Sequence, residues 1–269
     1  MNARASFIAG LLVLLAWTTM AALAPGVAPY DPFETVSSAR QAPSSEFWFG
    51  TDRLGRDVLS RVIFGARISL VLGFISVGIG AVVGTTLGIA SGYYRGHIDT
   101  LIMRAMDAML AFPGMLMALV IIAALGPSIT NVMIAVGVST IPRYARLIRA
   151  TVLSLREQAY IDAARLVGLS DLKIMLRHVL PNTMAPLLVL STLQFGNAIA
   201  VGAGLSFLGL GAQPPTAEWG LMAAVGREVL GRAWWISTFP GLAIFTAVMA
   251  CNLLGDSLRV RLDPRLSPR

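Results

Sequence analysis

The chain has 269 residues, of which 56% are hydrophobic and 13% charged, with a net charge of +7 at pH 7. An ordinary soluble domain carries about 25% charged residues, so this composition and a mean hydropathy of +0.73 argue against a soluble globule. They exclude a disordered chain, which needs low hydrophobicity and high charge. Cys251 is the single cysteine and has no intrachain disulfide partner. The remaining class is a polytopic membrane protein.

Six apolar segments are long enough to cross a hydrocarbon layer of about 30 Å. They fall near residues 7–24, 68–92, 108–125, 131–148, 184–207 and 237–256. The first competes with a cleaved signal peptide, because Arg4 precedes it and Ala21-Ala22-Leu23-Ala24 supplies small residues; the run is longer than a usual signal core. The fourth is the weakest. Pro142 interrupts it, and Arg143 and Arg146 fall in its end, as expected if its last turns protrude into the cytosol. Between spans one and two, Pro25, Pro29, Pro32 and Pro43 mark an irregular external arm, with short helices over the membrane surface. The 208–236 loop carries Pro214-Pro215, Trp219, Trp234 and Trp235, the last two read as interfacial anchors.

With both termini cytosolic, 14 of the 21 basic residues fall inside. They are Arg4, Arg95, Arg104, the seven from Arg143 to Arg177, and Arg259, Arg261, Arg265 and Arg269. The 14 acidic residues divide equally, so the whole net charge of +7 lies on the cytosolic side. That is the positive-inside pattern, and it accounts for the basic character without nucleic acid.

Several chemistries are excluded. Lys173 is the only lysine and follows Leu172, so there is no Walker-type phosphate loop. His97 and His178 are the only histidines, and with one cysteine they form no cluster at metal-ligand spacing. There is no Gly-x-Ser-x-Gly elbow. Intramembrane carboxylates are scarce, Asp107 at the start of span three being the best candidate, whereas proton-driven pumps carry more buried ionisable groups. The chain reads as a membrane scaffold whose energy comes from elsewhere.

The longest cytosolic loop, 149–182, reads as two short helices. The first runs near 157–167 and is stopped by Gly168 as a C-cap. Ser170 caps the second, with Asp171 in its first turn. Leu172, Met175, Leu176, Val179 and Leu180 then follow helical spacing along one apolar face, and Pro181 closes the helix. Such a helix docks on a partner, lies on the membrane or packs under the bundle; periodicity alone leaves all three open.

The stretch Asp162-Ala163-Ala164, three residues, Gly168, nine residues, then His178-Val179-Leu180-Pro181 resembles the EAA loop of ABC importer permeases. The usual form is Glu-Ala-Ala, three, Gly, nine, Ile-x-Leu-Pro. Asp162 stands for Glu and His178 for Ile, and the fuller string around them resembles the peptide/nickel permease branch. Four further segments agree. Residues 49–57 with Ser60-Arg61 resemble the stretch before span two in the C-type subunit of dipeptide and oligopeptide importers. Asp107 with Ala111-Phe112-Pro113, residues 205–211 with Glu218-Trp219-Gly220, and residues 252–256 with Arg259 and Leu262-Asp263-Pro264 resemble later parts of it.

The resemblance implies an all-α integral membrane protein with six transmembrane helices, the type I ABC importer permease fold and a cytosolic coupling helix. It implies residues 1–67 as first helix plus extracytoplasmic arm, and 68–269 as a five-helix core. It implies a bacterial inner-membrane location and these partners: a second homologous permease, two ABC ATPase subunits and an extracytoplasmic solute-binding protein. ATP and magnesium belong to the ATPases, and this chain binds no cofactor. The ATPase contact carries over to Asp162, Ala163, Ala164, Arg165, Gly168, Arg177, His178, Leu180 and Pro181. Arg165 and Arg177 pair with acidic groups of the ATPase or simply form a solvated face; exposed ion pairs contribute little. The arm and the 208–236 loop are the candidate contacts for the binding protein.

Gly80, Gly84, Gly88 and Gly92 recur every fourth residue of span two and leave one face without side chains, which lets another helix approach closely. Pathway candidates are the uncharged polar residues Ser191, Gln194, Asn197 and Asn252; Gln194 and Asn197 share a helix face. Met103, Met106, Met109, Met115 and Met117 surround span three, where adaptable packing is a commoner role than soft-metal binding. The expected function is ATP-driven peptide uptake by alternating access, with nickel or a metal chelate as the alternative cargo. A stand-alone channel needs a polar filter or charged ring, and none is visible.

Overall fold

The computed structural model describes residues 3–262. Asp263, Pro264, Arg265 and Arg269, used above, lie outside the described residues. Apart from a single Thr51–Asp57 bridge, no strand pairing occurs among the described residues.

Helix α1 (Ala3–Ala22) is followed by a single turn, α2 (Ala24–Val27). The arm then runs without helix to Asp57. It is held by buried polar groups. Asp52 pairs with Arg56 at 2.7 Å, and Arg61 donates to the Pro32 carbonyl at 2.7 Å. Helix α3 (Val58–Tyr94) starts at Val58, ten residues before its apolar window opens, because Asp57 caps it by accepting from the Ser60 N–H at 2.7 Å.

The third span is not one helix. Helix α4 (Gly96–Leu110) and helix α5 (Gly114–Leu125) meet at 90° across residues 111–113. Proline at 113 disfavours helix at the residue before it. At 1.5 Å per residue α5 is about 18 Å long, short of the roughly 30 Å of hydrocarbon. Helix α6 (Ile129–Leu155) is capped by Ser128, which accepts from the Asn131 N–H at 3.1 Å, and runs unbroken through Pro142.

Helices α7 (Ala159–Leu166) and α8 (Asp171–Ile174) form the inner loop. One turn of π-helix at Met175–Val179 joins α8 to α9 (Leu180–Phe207). Pro181 therefore does not close the second short helix, which continues into span five as one helix, Asp171–Phe207. Proline lacks an N–H and clashes with the carbonyl four residues back, and the widened π turn just before it accommodates this. Helix α10 (Trp219–Arg227) lies in the outer loop, and α11 (Trp235–Leu262) ends the described chain.

Among the described residues four helices are long and apolar enough to cross a membrane: α1, α3, the Asp171–Phe207 helix and α11, with the bent α4–α5 pair as a fifth. Helix α6 has the length, about 40 Å, but carries Arg143, Arg146 and Arg149. It lies along α3. A Cβ added to Gly84 would stand 2.4 Å from Tyr144 Cβ, and one added to Gly88 would stand 2.7 Å from the Ala145 carbonyl. Gly80 and Gly92 similarly face Thr140 and Val152.

Buried side chains form separate groups along this axis. The outermost centres on Trp219, whose indole donates to the Val62 carbonyl at 2.9 Å. Trp235 joins it, 5% exposed, and donates to the Thr51 carbonyl at 3.1 Å, so it is an internal tie rather than an interfacial anchor; Trp234 is exposed. Leu72, Ile122, Val136 and Leu205 fill the middle. Met106 is buried with Ile141 and Ala145, and Met103 and Met109 pack against them, so these methionines fill core space. Phe74, Val82 and Val120 remain exposed on their helices, as surfaces for lipid or a partner subunit.

Candidate functional site: the inner loop between α6 and α9

Helix α7 turns Ile161 and Ala164 inward and leaves Asp162 and Ala163 exposed. It ends on Gly168 at φ +82°, where left-handed backbone favours glycine. The Leu169 N–H reaches the Ala164 carbonyl at 3.1 Å and the Gly168 N–H reaches the Arg165 carbonyl at 2.9 Å, a Schellman closure. Ser170 precedes α8 without a side-chain capping bond. Instead, Asp171 accepts from the Tyr93 hydroxyl at 2.7 Å.

The inward face of the loop differs from the sequence expectation. Ile174 and Val179 are fully buried with Ile161, Ile89, Tyr93, Ile148 and Val152. Met175 and Leu180 pack at the edge, while Leu172 and Leu176 are exposed. Ile174 and Val179 share this face at a five-residue spacing because the π turn between them takes in an extra residue, which a fixed 3.6-residue period does not anticipate. The cluster roots the loop in the inner ends of α3 and α6. Arg156 adds a bond to the Tyr93 carbonyl at 2.6 Å, and Arg95 pairs with Glu157 at 3.3 Å.

The outward tip is apolar. Leu166 is 89% exposed and Val167 82%, beside the exposed Gly168. Arg165 bends back over the Tyr93 ring, 5.5 Å from its centre, and pairs with Asp162 at 3.1 Å. Arg177 is exposed, with no carboxylate within 4 Å among the described residues. His178 sits 6.4 Å from the Tyr160 ring, and its carbonyl accepts from Asn182 at 2.6 Å. Pro181 is exposed.

The four polar pathway candidates do not form one surface. Ser191 is half-buried and accepts from the Tyr144 hydroxyl at 3.3 Å. Gln194 is buried and accepts from Arg143 at 3.3 Å. Asn197 is half-buried and Asn252 exposed. Among the described residues no three His, Cys, Asp or Glu side chains form a group able to hold a metal ion.

An all-helical chain with apolar membrane-length helices and a loop of this build at its inner face defines a transport scaffold. The profile of binding-protein-dependent transport system inner membrane components matches residues 84–268, and the chain belongs to that family. It is 50% identical to a putative peptide transport system permease protein of Brucella suis biovar 1, over 98% of this chain and 89% of that one. It is 47% identical to the di/tripeptide transport system permease protein DppC of Pseudomonas aeruginosa, over 96% of this chain and 88% of the relative. It is 48% identical to the glutathione transport system permease protein GsiD of Escherichia coli O6:K15:H31, over 96% and 86%. Among solved structures, inward-facing MetNI methionine ABC transporter superposes with a TM-score of 0.60 at 16% identity, covering 76% of this chain and 97% of that chain. The fold is that of a type I ABC importer permease, and the chain is a multi-pass inner-membrane transporter subunit.

Proposed function

We propose that the chain is a permease subunit of an ATP-driven importer that takes up di- or oligopeptides by alternating access. The observation that carries this is the inner loop: an exposed apolar tip at Leu166, Val167 and Gly168 on a base buried against α3 and α6. A tip pushed by a partner transmits its movement to both helices, because packed interiors shift as units. The relatives named for peptide, di/tripeptide and glutathione transport support peptides as cargo.

In this reading two ABC ATPases bind ATP and magnesium, and this chain binds neither. One ATPase receives the loop through Asp162, Ala163, Gly168, Arg177, His178, Leu180 and Pro181; Ala164, expected at that contact, is instead buried in the base of the loop, and Arg165 braces the loop from within. A second homologous permease completes the pathway, to which Ser191, Gln194, Asn197 and Asn252 contribute, and an extracytoplasmic binding protein delivers the solute. Both termini are cytoplasmic. Residues 1–67 serve as first helix and external arm and 68–269 as the core, the boundary falling within α3.

The test is to tag the chain, purify it gently from native membranes and identify what accompanies it by mass spectrometry. One or two Walker-motif ATPases and a second permease are expected; recovery of the chain alone after cross-linking overturns the reading. The Gly168→Asp variant should insert normally but lose the ATPases. An added Cβ there meets nothing within 4 Å, but the φ of +82° strains most side chains, so Gly168→Asn, which tolerates left-handed backbone, is the companion variant: retained ATPases with Asn and loss with Asp would report on the partner's surface.

A further inference from the structure

Three arginines point from successive turns of α6, and two of them are neutralised. Arg146 pairs with Asp107 at 2.5 Å. Arg149 grips Asp99 with two bonds, at 2.5 and 2.6 Å. Arg143 has no carboxylate within 4 Å among the described residues, and its partner is the neutral Gln194 Oε1 at 3.3 Å. Its side chain is exposed in this chain, about 21 Å along α6 from Ile129 at 1.5 Å per residue; a charge this far from a helix end in a membrane protein is costly without a partner, and such charges serve solute or ion pathways.

Arg143 lines a cavity of about 160 Å³ with Ser139, Phe112, Pro113, Gly114 and Met117. The cavity sits at the break between α4 and α5, at the amino end of α5. No side chain caps that end. Its first backbone N–H groups and the positive end of the helix dipole thus face the same space as the guanidinium. Arg143 Nη2 lies 4.0 Å from where a Cβ on Gly114 would stand. Beside it, the Nε2 of Gln194, a residue 6% exposed, is buried without a partner. Ser139 gives its hydroxyl proton to the Val136 carbonyl at 2.8 Å, so the donors facing the cavity are the Arg143 guanidinium and the amino end of α5, with the last turn of α4 at Met109 and Leu110 on the other side. The space has room for several waters, enough for a carboxylate and the start of one residue.

We propose that Arg143, with the amino end of α5, forms a carboxylate station in the translocation pathway that holds the C-terminal carboxylate of a peptide in transit. A free peptide terminus is ionised at neutral pH, and guanidinium matches a carboxylate with two parallel bonds. The break in span three is then functional. It brings a helix amino end to membrane depth, as in transporters whose discontinuous helices face anionic groups. Gln194 acts by orienting the guanidinium. This deepens the proposed peptide reading and rests on it.

The test uses the whole importer complex in lipid nanodiscs without binding protein and measures equilibrium binding of radiolabelled tri-alanine, with tri-alanine amide as competitor. The amide should compete at least ten-fold more weakly than the free acid, a comparison that needs no variant. Arg143→Gln should weaken tri-alanine binding at least ten-fold and erase the acid–amide difference, and Arg143→Lys should restore part of it. Equal competition by acid and amide, or unchanged binding by Arg143→Gln, overturns the station. Loss of assembly in Arg143→Gln without acid–amide discrimination in the unaltered complex would instead assign Arg143 to a carboxylate of the partner permease, which also overturns it. Uptake of tri-alanine by the complex with its binding protein separates the two claims. Uptake without discrimination leaves the peptide reading standing and removes the station, whereas absence of both uptake and binding removes both.

Discussion

The Tyr93 hydroxyl, at the inner end of α3, donates to Asp171 Oδ1 at 2.7 Å across 78 positions of sequence. The same ring underlies the Arg165 guanidinium, and the Tyr93 carbonyl accepts from Arg156. One residue of a membrane helix thus holds three points of the inner loop, and the loop cannot shift as a body without moving α3.

Removing that hydroxyl should loosen the loop without unfolding the chain. A single such bond is worth about 1 kcal/mol net, or about five-fold in a local opening equilibrium. Tyr93→Phe is expected to lower amide hydrogen-exchange protection across residues 165–175 about five-fold. Protection in the middle of α3 should stay the same. Unchanged protection in the loop would show that the buried cluster alone holds it.

The α3–α6 seam makes a sharper prediction. A Cβ on Gly84 would press on Tyr144 Cβ and on the Ile141 carbonyl at 2.7 Å, and backbone cannot swing aside. On Gly78 of the same helix it meets nothing within 4 Å. Gly84→Leu should cost more than the usual 1–3 kcal/mol of overpacking and sharply reduce monodisperse protein after detergent extraction. Gly78→Ala should be recovered at the normal level.

Glu218 supplies a pH dependence. Its carboxylate caps α10 by accepting from the Gly220 and Leu221 N–H groups at 2.9 and 2.8 Å, and the Ser69 hydroxyl lies 3.3 Å away. Burial nevertheless outweighs these bonds and raises its pKa above the ordinary 4.5. A carboxyl with a raised folded-state pKa binds its proton more tightly when folded, so its contribution is complete below the ordinary value and is lost as pH rises through the raised one. The Tm of the purified protein should fall with pH above about 4.5. Glu218→Gln does not titrate, so the Tm difference between the two proteins should narrow across that window. A constant difference would remove Glu218 as the source.

Much of this was legible along the chain because it depends on local chemistry. The glycines of span two mark one face by their spacing, and the 3+9 spacing around Gly168 identifies the loop. Other readings failed for reasons that lie outside any local window. Span three reads as one apolar run, but its backbone turns 90° at residues 111–113. Pro181 and Pro142 read as a stop and an interruption, yet helix runs through both. Trp235 reads as an anchor because indole favours interfaces, but its N–H found the Thr51 carbonyl.

The sequence by itself determined the membrane class, the uneven spread of basic residues between alternate loops and the position of the loop around Gly168, because hydrophobicity, charge sign and a glycine's tolerance of left-handed backbone belong to the residues themselves. Only the tertiary structure decided which groups meet. Arg143, Arg146 and Arg149 look alike in sequence, yet two face carboxylates on α4 and one faces a cavity. That difference is set by where a broken helix places its side chains against α6, and a charge at membrane depth acquires its role from the partner it has or lacks.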